Sequence, residues 1–379
     1  MTSFSLSAPK RTIFGRDSRA SAATEIAAFG TRILLVRGQS VAWVDKLVDA
    51  LTRSGCLLET VISSGEPVLD AVRQAISVTK NHKADCVVAV GGGSVIDLGK
   101  AVAGLCRSDG DVIEYLGTGE ASARQLHCPL PFIAIPTTAG TGAEATRNAV
   151  IGVPERQVKI SLRDQRLLPD LVLIDPALTD SSPKGLTLAS GLDAITQLIE
   201  SYVSNRSNLV TDAMCRTSIP KAIAALCELM DGENTDARDE MARASYLSGI
   251  ALTNSGLGIV HGLASVIGGR GGAHGAICGR LLASALFVNE DVLKDEQVNR
   301  MRFIEVDKWL ADGLIAQDVS GKLALRHFVD TNELPSLKDL GVHTTEFEAI
   351  AQLSLASSST KANPVKLNKK DVCRILELA

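Results

Sequence analysis

The sequence predicts an α/β domain followed by an all-helical domain. In the first half, short β-rich runs alternate with amphipathic stretches, a pattern typical of βαβ units that build a parallel sheet. After about Asp175 the β-rich runs end, and the remaining chain reads as helices separated by Gly, Pro and Asn. Because 379 residues exceed what one hydrophobic core usually serves, we expect two domains, at residues 1–180 and 181–379, with a cleft between them.

The elements of the first domain follow from hydrophobic periodicity. Amphipathic repeats predict the helices Val41–Ser54, Val68–Lys80 and Ser94–Cys106. The segment NAVIGVPERQVKIS predicts a hairpin with Pro154 and Glu155 in its turn. The predicted strands are Arg32–Val36, Leu57–Ile62, Cys86–Val90, Pro131–Ile135 and Leu171–Ile174.

Composition excludes several classes of function. A net charge of -4 leaves no basic excess to bind nucleic acid. The N-terminus has no apolar signal segment, and polar residues interrupt the apolar stretch from Ile250 to Gly269, so we expect neither secretion nor a membrane span. The eight cysteines contain no CxxC pair, and we interpret them as reduced core residues of a cytoplasmic protein.

Two loops are suited to a dinucleotide. Gly91-Gly92-Gly93-Ser94 lies between a strand and a helix, where backbone N–H groups and the helix N-terminus favour a phosphate. It matches neither GxGxxG nor the P-loop pattern. The second loop, Thr137 to Glu144, follows a strand at its carboxyl end and offers the hydroxyls of Thr137, Thr138 and Thr141; helix capping is an alternative role for each threonine.

A metal site is predicted in the second domain. Asp193 and Gln197, four residues apart on a predicted helix, share one face. His261 and His274 flank a glycine-rich turn. One carboxylate and two imidazoles are a ligand set that leaves a position open for a substrate oxygen.

Five motifs follow one another along the chain: GGGSVID, PTTAGTGAEATRNAVI, LIDPALT, GLDAITQLIESYV and HGLASVIGG...HGAICG. With these motifs in this order, the chain resembles the iron-containing, group III alcohol dehydrogenases. The resemblance implies a Rossmann-like dinucleotide-binding domain, a helical metal and substrate domain, and hydride transfer between an alcohol and a carbonyl compound. It assigns the pyrophosphate to Gly92, Gly93 and Ser94, the nicotinamide side to Thr137, Thr138 and Thr141, and the cofactor or its ribose to Lys159. A solvent-exposed charge is an equally good interpretation of Lys159. We also assign Asp97 to cofactor binding.

The resemblance implies catalytic roles for His261, His274 and Asp193, and these three with Gln197 as metal ligands. Relatives carry a histidine where this chain has Gln197, and often another where it has Ser265. The metal is therefore iron or zinc, or is dispensable. Arg270, between the histidines, suits an anionic substrate, and an exposed arginine is the alternative.

Gly38 follows the first predicted strand, at the point where relatives that prefer NAD carry an aspartate. No carboxylate is there to repel a 2'-phosphate, and Arg37, Gln39 and Ser40 could bind that phosphate, which favours NADP with NAD left open. Alternative functions are a metal-independent oxo-acid reductase resembling maleylacetate reductases, a cyclase resembling dehydroquinate synthase, and a dinucleotide-binding protein without activity. We expect a small alcohol or carbonyl substrate and a homodimer or higher homo-oligomer.

Overall fold

The computed structural model describes residues 3–117, 124–156, 158–269, 272–293, 297–315 and 318–379. They divide into two compact units. The first, which we call the sheet unit, comprises Ser7–Thr138 and Ala143–Thr179. The second, the helical unit, consists mainly of Asp180–Ala379 and also takes in the N-terminal residues up to Leu6 and the short loop Ala139–Gly142.

In the described part of the sheet unit, six parallel strands form one sheet in the order β1-β8-β5-β4-β2-β3. These strands are β1 (Thr12–Phe14), β2 (Arg32–Arg37), β3 (Leu57–Ile62), β4 (Cys86–Gly91), β5 (Phe132–Pro136) and β8 (Leu171–Ile174). The helices of this unit are α1 (Ala22–Ala27), α2 (Trp43–Arg53), α3 (Leu69–His82) and α4 (Gly93–Leu105). The predicted parallel sheet is confirmed, and each predicted strand begins and ends within one residue of the observed strand.

The predicted hairpin is also present. The strands β6 (Asn148–Val153) and β7 (Val158–Arg163) pair antiparallel, with Ile151 opposite Ile160. A short 3-10 turn at Pro154–Arg156 precedes β7.

The interiors of the central strands are apolar because helices cover both faces of the sheet. In β2, Leu34 and Val36 pack into one core cluster, and Ile33 and Leu35 pack into another. All four side chains are fully buried, as the alternation of side chains along a strand requires.

The strand order changes direction between β2 and β4. The chain runs from β2 outward to β3, then returns to the other side of β2 for β4 and continues to β5 and β8. In an open parallel sheet, ligands bind beyond the carboxyl ends of the strands at such a switch point. The loops after β2 and β4 therefore lie where a dinucleotide is expected.

The described part of the helical unit contains no strand, which confirms the predicted all-helical second domain. Its helices are α5 (Lys184–Val203), α6 (Leu209–Asp231), α7 (Thr235–Ser255), α8 (Ile259–Gly268), α9 (His274–Val292), α10 (Gln297–Gly313), α11 (Gly321–Thr331), α12 (Phe347–Ala356) and α13 (Lys369–Leu378). They surround one hydrophobic core. Among the described helices, none has by itself the length and apolar composition to cross a bilayer; α7 and α8 together would pass, but a 105° bend separates them.

Candidate active site

Three helices of the helical unit bring the candidate metal ligands together. Asp193 lies on α5, which is buried around its whole circumference from Gly191 to Val203. His261 lies in the first turn of α8, and His274 is the first residue of α9. The predicted polar face of α5 is therefore not solvated but enclosed by neighbouring helices.

Two glycines of α9 allow this helix to approach α5 closely. A Cβ atom on Gly275 would lie 2.3 Å from the carbonyl oxygen of Ala189, and one on Gly279 would lie 2.5 Å from Cδ1 of Leu192. Any side chain at either position would force the helices apart. The pair of glycines thus sets the separation at which residues of α9 reach Asp193.

The donor atoms form a compact group. Oδ1 of Asp193 lies 3.3 Å from Nε2 of His261 and 3.7 Å from Nε2 of His274. The Sγ atom of Cys278 lies 3.8 Å from each of the same two nitrogens. One atom from each of the four side chains falls within 4.8 Å of the others, so the group could hold one ion.

Cys278 was missed by the sequence reasoning, which placed every cysteine in the core. The signal was available, because Cys278 follows His274 by four residues and residues at this spacing share a helix face. What concealed it was the glycine-rich stretch before His274, which gave no indication that a helix begins at that histidine.

The group has a negative electrostatic environment. Burial disfavours a charge on the imidazoles, but Cys278 and Asp193 outweigh it and raise the pKa of His274 to about 9. The pKa of His261 is also raised, against burial, by Cys278, Asp193 and Glu200. Burial favours the neutral form of Asp193, yet the two histidines hold its pKa below the ordinary value. The surroundings therefore favour a cation among these side chains.

Glu200 lies one helical turn beyond Gln197 on α5. It is the second site residue that the sequence reasoning missed. Nδ1 of His261 lies 2.7 Å from Oε2 of Glu200, and the backbone N–H of Val260 donates to Oε1 at 2.7 Å. Because a carboxylate only accepts hydrogen bonds, Nδ1 carries a proton. Nε2, which faces Asp193, is then the nitrogen left to bind an ion.

Both polar atoms of the Gln197 amide form hydrogen bonds within the protein. Its Nε2 donates to the carbonyl oxygen of Thr141 at 3.3 Å, and its Oε1 accepts from the hydroxyl of Ser248 at 2.6 Å. The hydroxyl of Ser265 donates to the carbonyl oxygen of Gly262 at 2.8 Å. Arg270 lies outside the described residues.

In the sheet unit, the predicted dinucleotide residues follow neighbouring strands. Gly92 directly precedes α4, whose first two residues are Gly93 and Ser94. As glycine, Gly92 has no side chain to cap the helix. A Cβ on Gly92 would lie 3.3 Å from Cγ2 of Thr138. The backbone N–H of Thr137 donates to Gly91, so the loops after β4 and β5 lie side by side.

The loop after β2 joins the same edge of the sheet. The backbone N–H of Gly38 donates to the carbonyl oxygen of Val90 at 3.2 Å. Gln39 and Ser40 are exposed. The guanidinium of Arg37 is bound by Asp45 at 2.5 Å and by the carbonyl oxygen of Val41.

The other predicted cofactor residues have partners within the protein. Asp97 accepts from the backbone N–H of Val150 at 3.1 Å and so holds β6 against α4. Lys159 forms an ion pair with Glu66 at 2.5 Å. Thr141 is exposed and belongs to the helical unit.

A parallel sheet with glycine and threonine loops at its carboxyl edge, together with a buried group of carboxylate, imidazole and thiol donors, is typical of metal-dependent nicotinamide oxidoreductases. The family described as iron-containing alcohol dehydrogenase matches residues 9–176. Its C-terminal domain, described as that of the Fe-containing alcohol dehydrogenase family, matches residues 187–379. The chain therefore belongs to the iron-containing alcohol dehydrogenase family.

Individual relatives agree with this assignment. Alcohol dehydrogenase 4 of Saccharomyces cerevisiae is 33% identical over 321 residues, which cover 83% of this chain and 80% of the relative. The 1,3-propanediol dehydrogenase of Klebsiella pneumoniae is 32% identical over 348 residues, or 89% and 87% of the two chains. The solved alcohol dehydrogenase from Oenococcus oeni superposes with a TM-score of 0.87 at 28% identity, and all of both chains is covered.

These comparisons establish the class of reaction. The protein is an oxidoreductase that interconverts an alcohol and an aldehyde or ketone with a nicotinamide dinucleotide. The prediction made from the ordered motifs is confirmed at this level.

Proposed function

We propose that the enzyme reduces small aldehydes or ketones to alcohols, and catalyses the reverse reaction, at a divalent iron or zinc ion held by Asp193, His261 and His274. The observation that carries this proposal is the convergence of these three side chains from α5, α8 and α9, with Oδ1 of Asp193 within 3.7 Å of both Nε2 atoms. The proposed substrate size follows relatives such as the 1,3-propanediol dehydrogenase.

The residues present fit a divalent ion. One carboxylate and two imidazoles are donors that both iron and zinc accept. Asp193 and His261 are almost fully buried, and a buried carboxylate among histidines is costly unless a cation or protons neutralise it. Gln197 contributes at most one remaining lone pair of its amide oxygen, since Ser248 already donates to that atom.

The protein's own side chains orient the reaction. Glu200 accepts the Nδ1 proton of His261 and so fixes the ring with Nε2 toward Asp193. Asp193 carries the negative charge that balances a cation, and its burial excludes water from one side of the site. When bound, the ion polarises the substrate oxygen as a Lewis acid, and the reduced nicotinamide supplies the hydride.

We propose that Gly92, Gly93 and Ser94 bind the pyrophosphate of the dinucleotide. The first turn of α4, at Gly93 and Ser94, presents backbone N–H groups and the positive end of the helix dipole to a pyrophosphate. Gly92 leaves the space that such an approach requires. We propose NADP as the preferred cofactor, supported by the lack of a carboxylate at Gly38 and by the exposed polar side chains of Gln39 and Ser40.

Metal analysis tests the proposal. Protein purified without chelator should contain iron or zinc and should oxidise NADPH with a panel of small aldehydes. Asp193→Ala should lose the metal and the activity together, because the remaining donors lack the charge that balances the ion. Asp312→Ala, which removes an exposed carboxylate paired with Lys308, should lose neither.

An active wild-type enzyme that contains no metal would contradict the proposed role of the three side chains. It would favour instead the metal-independent reduction of an activated carbonyl such as an oxo acid.

A further inference from the structure

We propose that Cys278 binds the catalytic ion as a thiolate and, rather than Gln197, supplies the fourth protein ligand. This inference rests on the proposed metal site and extends it from three protein ligands to four. It also predicts a preference for an ion that accepts sulfur.

The placement of Cys278 on α9 supports ligation. Cys278 and His274 are four residues apart, so both side chains leave the helix on the same face. The close approach of Gly275 and Gly279 to α5 turns that face toward Asp193. Cys278 is fully buried, and the donors of Asp193, His261 and His274 all lie within 4.8 Å of its sulfur.

The separations between donor atoms match those of a tetrahedral site. Bond lengths of ~2.0 Å to nitrogen or oxygen and ~2.3 Å to sulfur place neighbouring donors ~3.3 to 3.6 Å apart. The carboxylate oxygen lies 3.3 and 3.7 Å from the two nitrogens, and the sulfur lies 3.8 Å from each nitrogen. These four separations lie within a few tenths of an ångström of the tetrahedral values, and the remaining two are at most 4.8 Å.

Gln197 is a weaker candidate for the fourth position. Its amide links α5 to the loop at Thr141 and to Ser248 on α7. Ligation through its oxygen would have to share that atom with the Ser248 hydroxyl. The sulfur of Cys278, by contrast, has the two imidazole nitrogens and Asp193 as its polar neighbours.

A thiolate changes the chemistry of the site. With Asp193 it supplies two negative charges, which match the charge of a divalent ion. Sulfur donors select zinc and other thiophilic ions over magnesium and manganese, which prefer oxygen. Zinc can expand its coordination during catalysis, so a substrate oxygen can still bind beside four protein ligands.

X-ray absorption at the zinc edge tests the inference directly. The wild-type protein loaded with Zn²⁺ should show one sulfur scatterer at ~2.3 Å among nitrogen and oxygen scatterers at ~2.0 to 2.1 Å. In Cys278→Ser the sulfur contribution should disappear, and the dissociation constant for Zn²⁺ should rise at least about tenfold, as expected for loss of about 1.4 kcal/mol of binding. Protein loaded with Co²⁺ should lose its sulfur-to-metal absorption band in the same variant.

Cys215→Ser is the matched control, because Cys215 is equally buried in the same unit but is not part of the donor group. It should keep the sulfur scatterer and the Zn²⁺ affinity. The wild-type spectrum needs no variant, so the test stands even where a substitution impairs folding.

The outcomes separate this inference from the proposed function. A wild-type protein that binds Zn²⁺ through nitrogen and oxygen alone overturns the role of Cys278 and leaves the three-ligand site intact. A sulfur scatterer that persists in Cys278→Ser also overturns it. Failure of the wild type to bind any divalent ion overturns both proposals, and unchanged metal content in Asp193→Ala contradicts the proposed function itself.

Discussion

Gly38 is the residue that determines the proposed preference for NADP. A Cβ at this position would lie 3.8 Å from its nearest neighbours, side-chain atoms of Val41 and Val95, so a larger residue fits. In Gly38→Asp the new carboxylate should repel a 2'-phosphate and accept from a ribose 2'-hydroxyl. We expect kcat/KM for NADPH to fall by about tenfold or more, equivalent to at least about 1.4 kcal/mol, relative to that for NADH.

Gly38→Ala provides the control, because it adds bulk without charge. Steady-state kinetics with both cofactors should give it nearly the wild-type ratio. If Gly38→Asp leaves the ratio unchanged, the 2'-phosphate does not lie near this residue.

Glu200 acts on the metal site through His261. In Glu200→Gln one hydrogen-bond acceptor becomes a donor, and the imidazole loses the carboxylate that fixes its protonated nitrogen. We expect metal affinity to fall by about 10- to 100-fold. A competition titration with a chromophoric chelator measures this change.

The same chemical change at an exposed site supplies the comparison. Glu348→Gln, which disrupts an exposed pair with Lys369, should bind the ion as the wild type does. Equal affinities in both variants would show that Glu200 has no part in holding His261.

The sequence was least informative about individual residues of the candidate site. Asp193, His261 and His274 were identified from residue type and motif, and the structure brings them together. Cys278 and Glu200 were not identified, because their roles depend on how α5, α8 and α9 pack. The role of a carboxylate or a thiol in an apolar helix cannot be assigned until the position of the neighbouring helix is known.

At the scale of elements, the contact between α5 and α9 is set by glycine. A methyl group at position 279 would lie 2.5 Å from Cδ1 of Leu192, well inside van der Waals contact. Gly279→Ala should therefore destabilise the protein by about 1 to 3 kcal/mol and weaken metal binding, since α9 must move with His274. Urea unfolding and the metal titration measure the two effects.

A second alanine substitution distinguishes packing from helix propensity. Gly185 is exposed near the start of α5, and a Cβ there would meet no atom within 4 Å. Gly185→Ala should leave stability unchanged or raise it by up to about 1 kcal/mol. Loss of stability in both variants would mean that close approach is not the cause.

The regular elements of the sheet unit were predictable because their periodicity is strong. The strands β2 to β5 are β-rich runs bounded by turn residues, and their predicted ends are accurate to one residue. The strand β1 and the helix α1 were missed. The strand β1 has three residues and the helix α1 has six, so neither is long enough to show a hydrophobic periodicity.

At the scale of the whole molecule, two buried ionisable groups in the sheet unit make the stability of the fold depend on pH. The ammonium group of Lys100 donates to the carbonyl oxygens of Ala143, Thr146 and Asn148. Burial lowers the pKa of Lys100 from 10.5 to about 8. Burial raises the pKa of Glu144 from 4.5 to about 7.

The sign of each effect follows from proton binding. Between pH 4.5 and 7 the folded protein binds more protons at Glu144 than the unfolded chain does, so this contribution to stability is lost as the pH rises. Between pH 8 and 10.5 the unfolded chain binds more protons at Lys100, so stability increases with pH. The two groups together stabilise the fold least between about pH 7 and 8.

Glu144→Gln should therefore remove a decline in stability between pH 4.5 and 7. Thermal unfolding followed by circular dichroism across this range measures the slope. Glu59→Gln, at an exposed position of β3, should keep the wild-type slope. A wild-type curve that rises over the same range, unaltered by Glu144→Gln, would contradict the assignment.

The hydrogen bonds of Gln197 limit which residues position 197 can accept. The amide links α5 to Thr141 and to Ser248, while the thiol of Cys278 lies among the candidate donors on another helix. Replacement of Gln197 by histidine would remove both amide hydrogen bonds. The effect of a substitution at position 197 should therefore depend on whether residues 248 and 278 are changed with it.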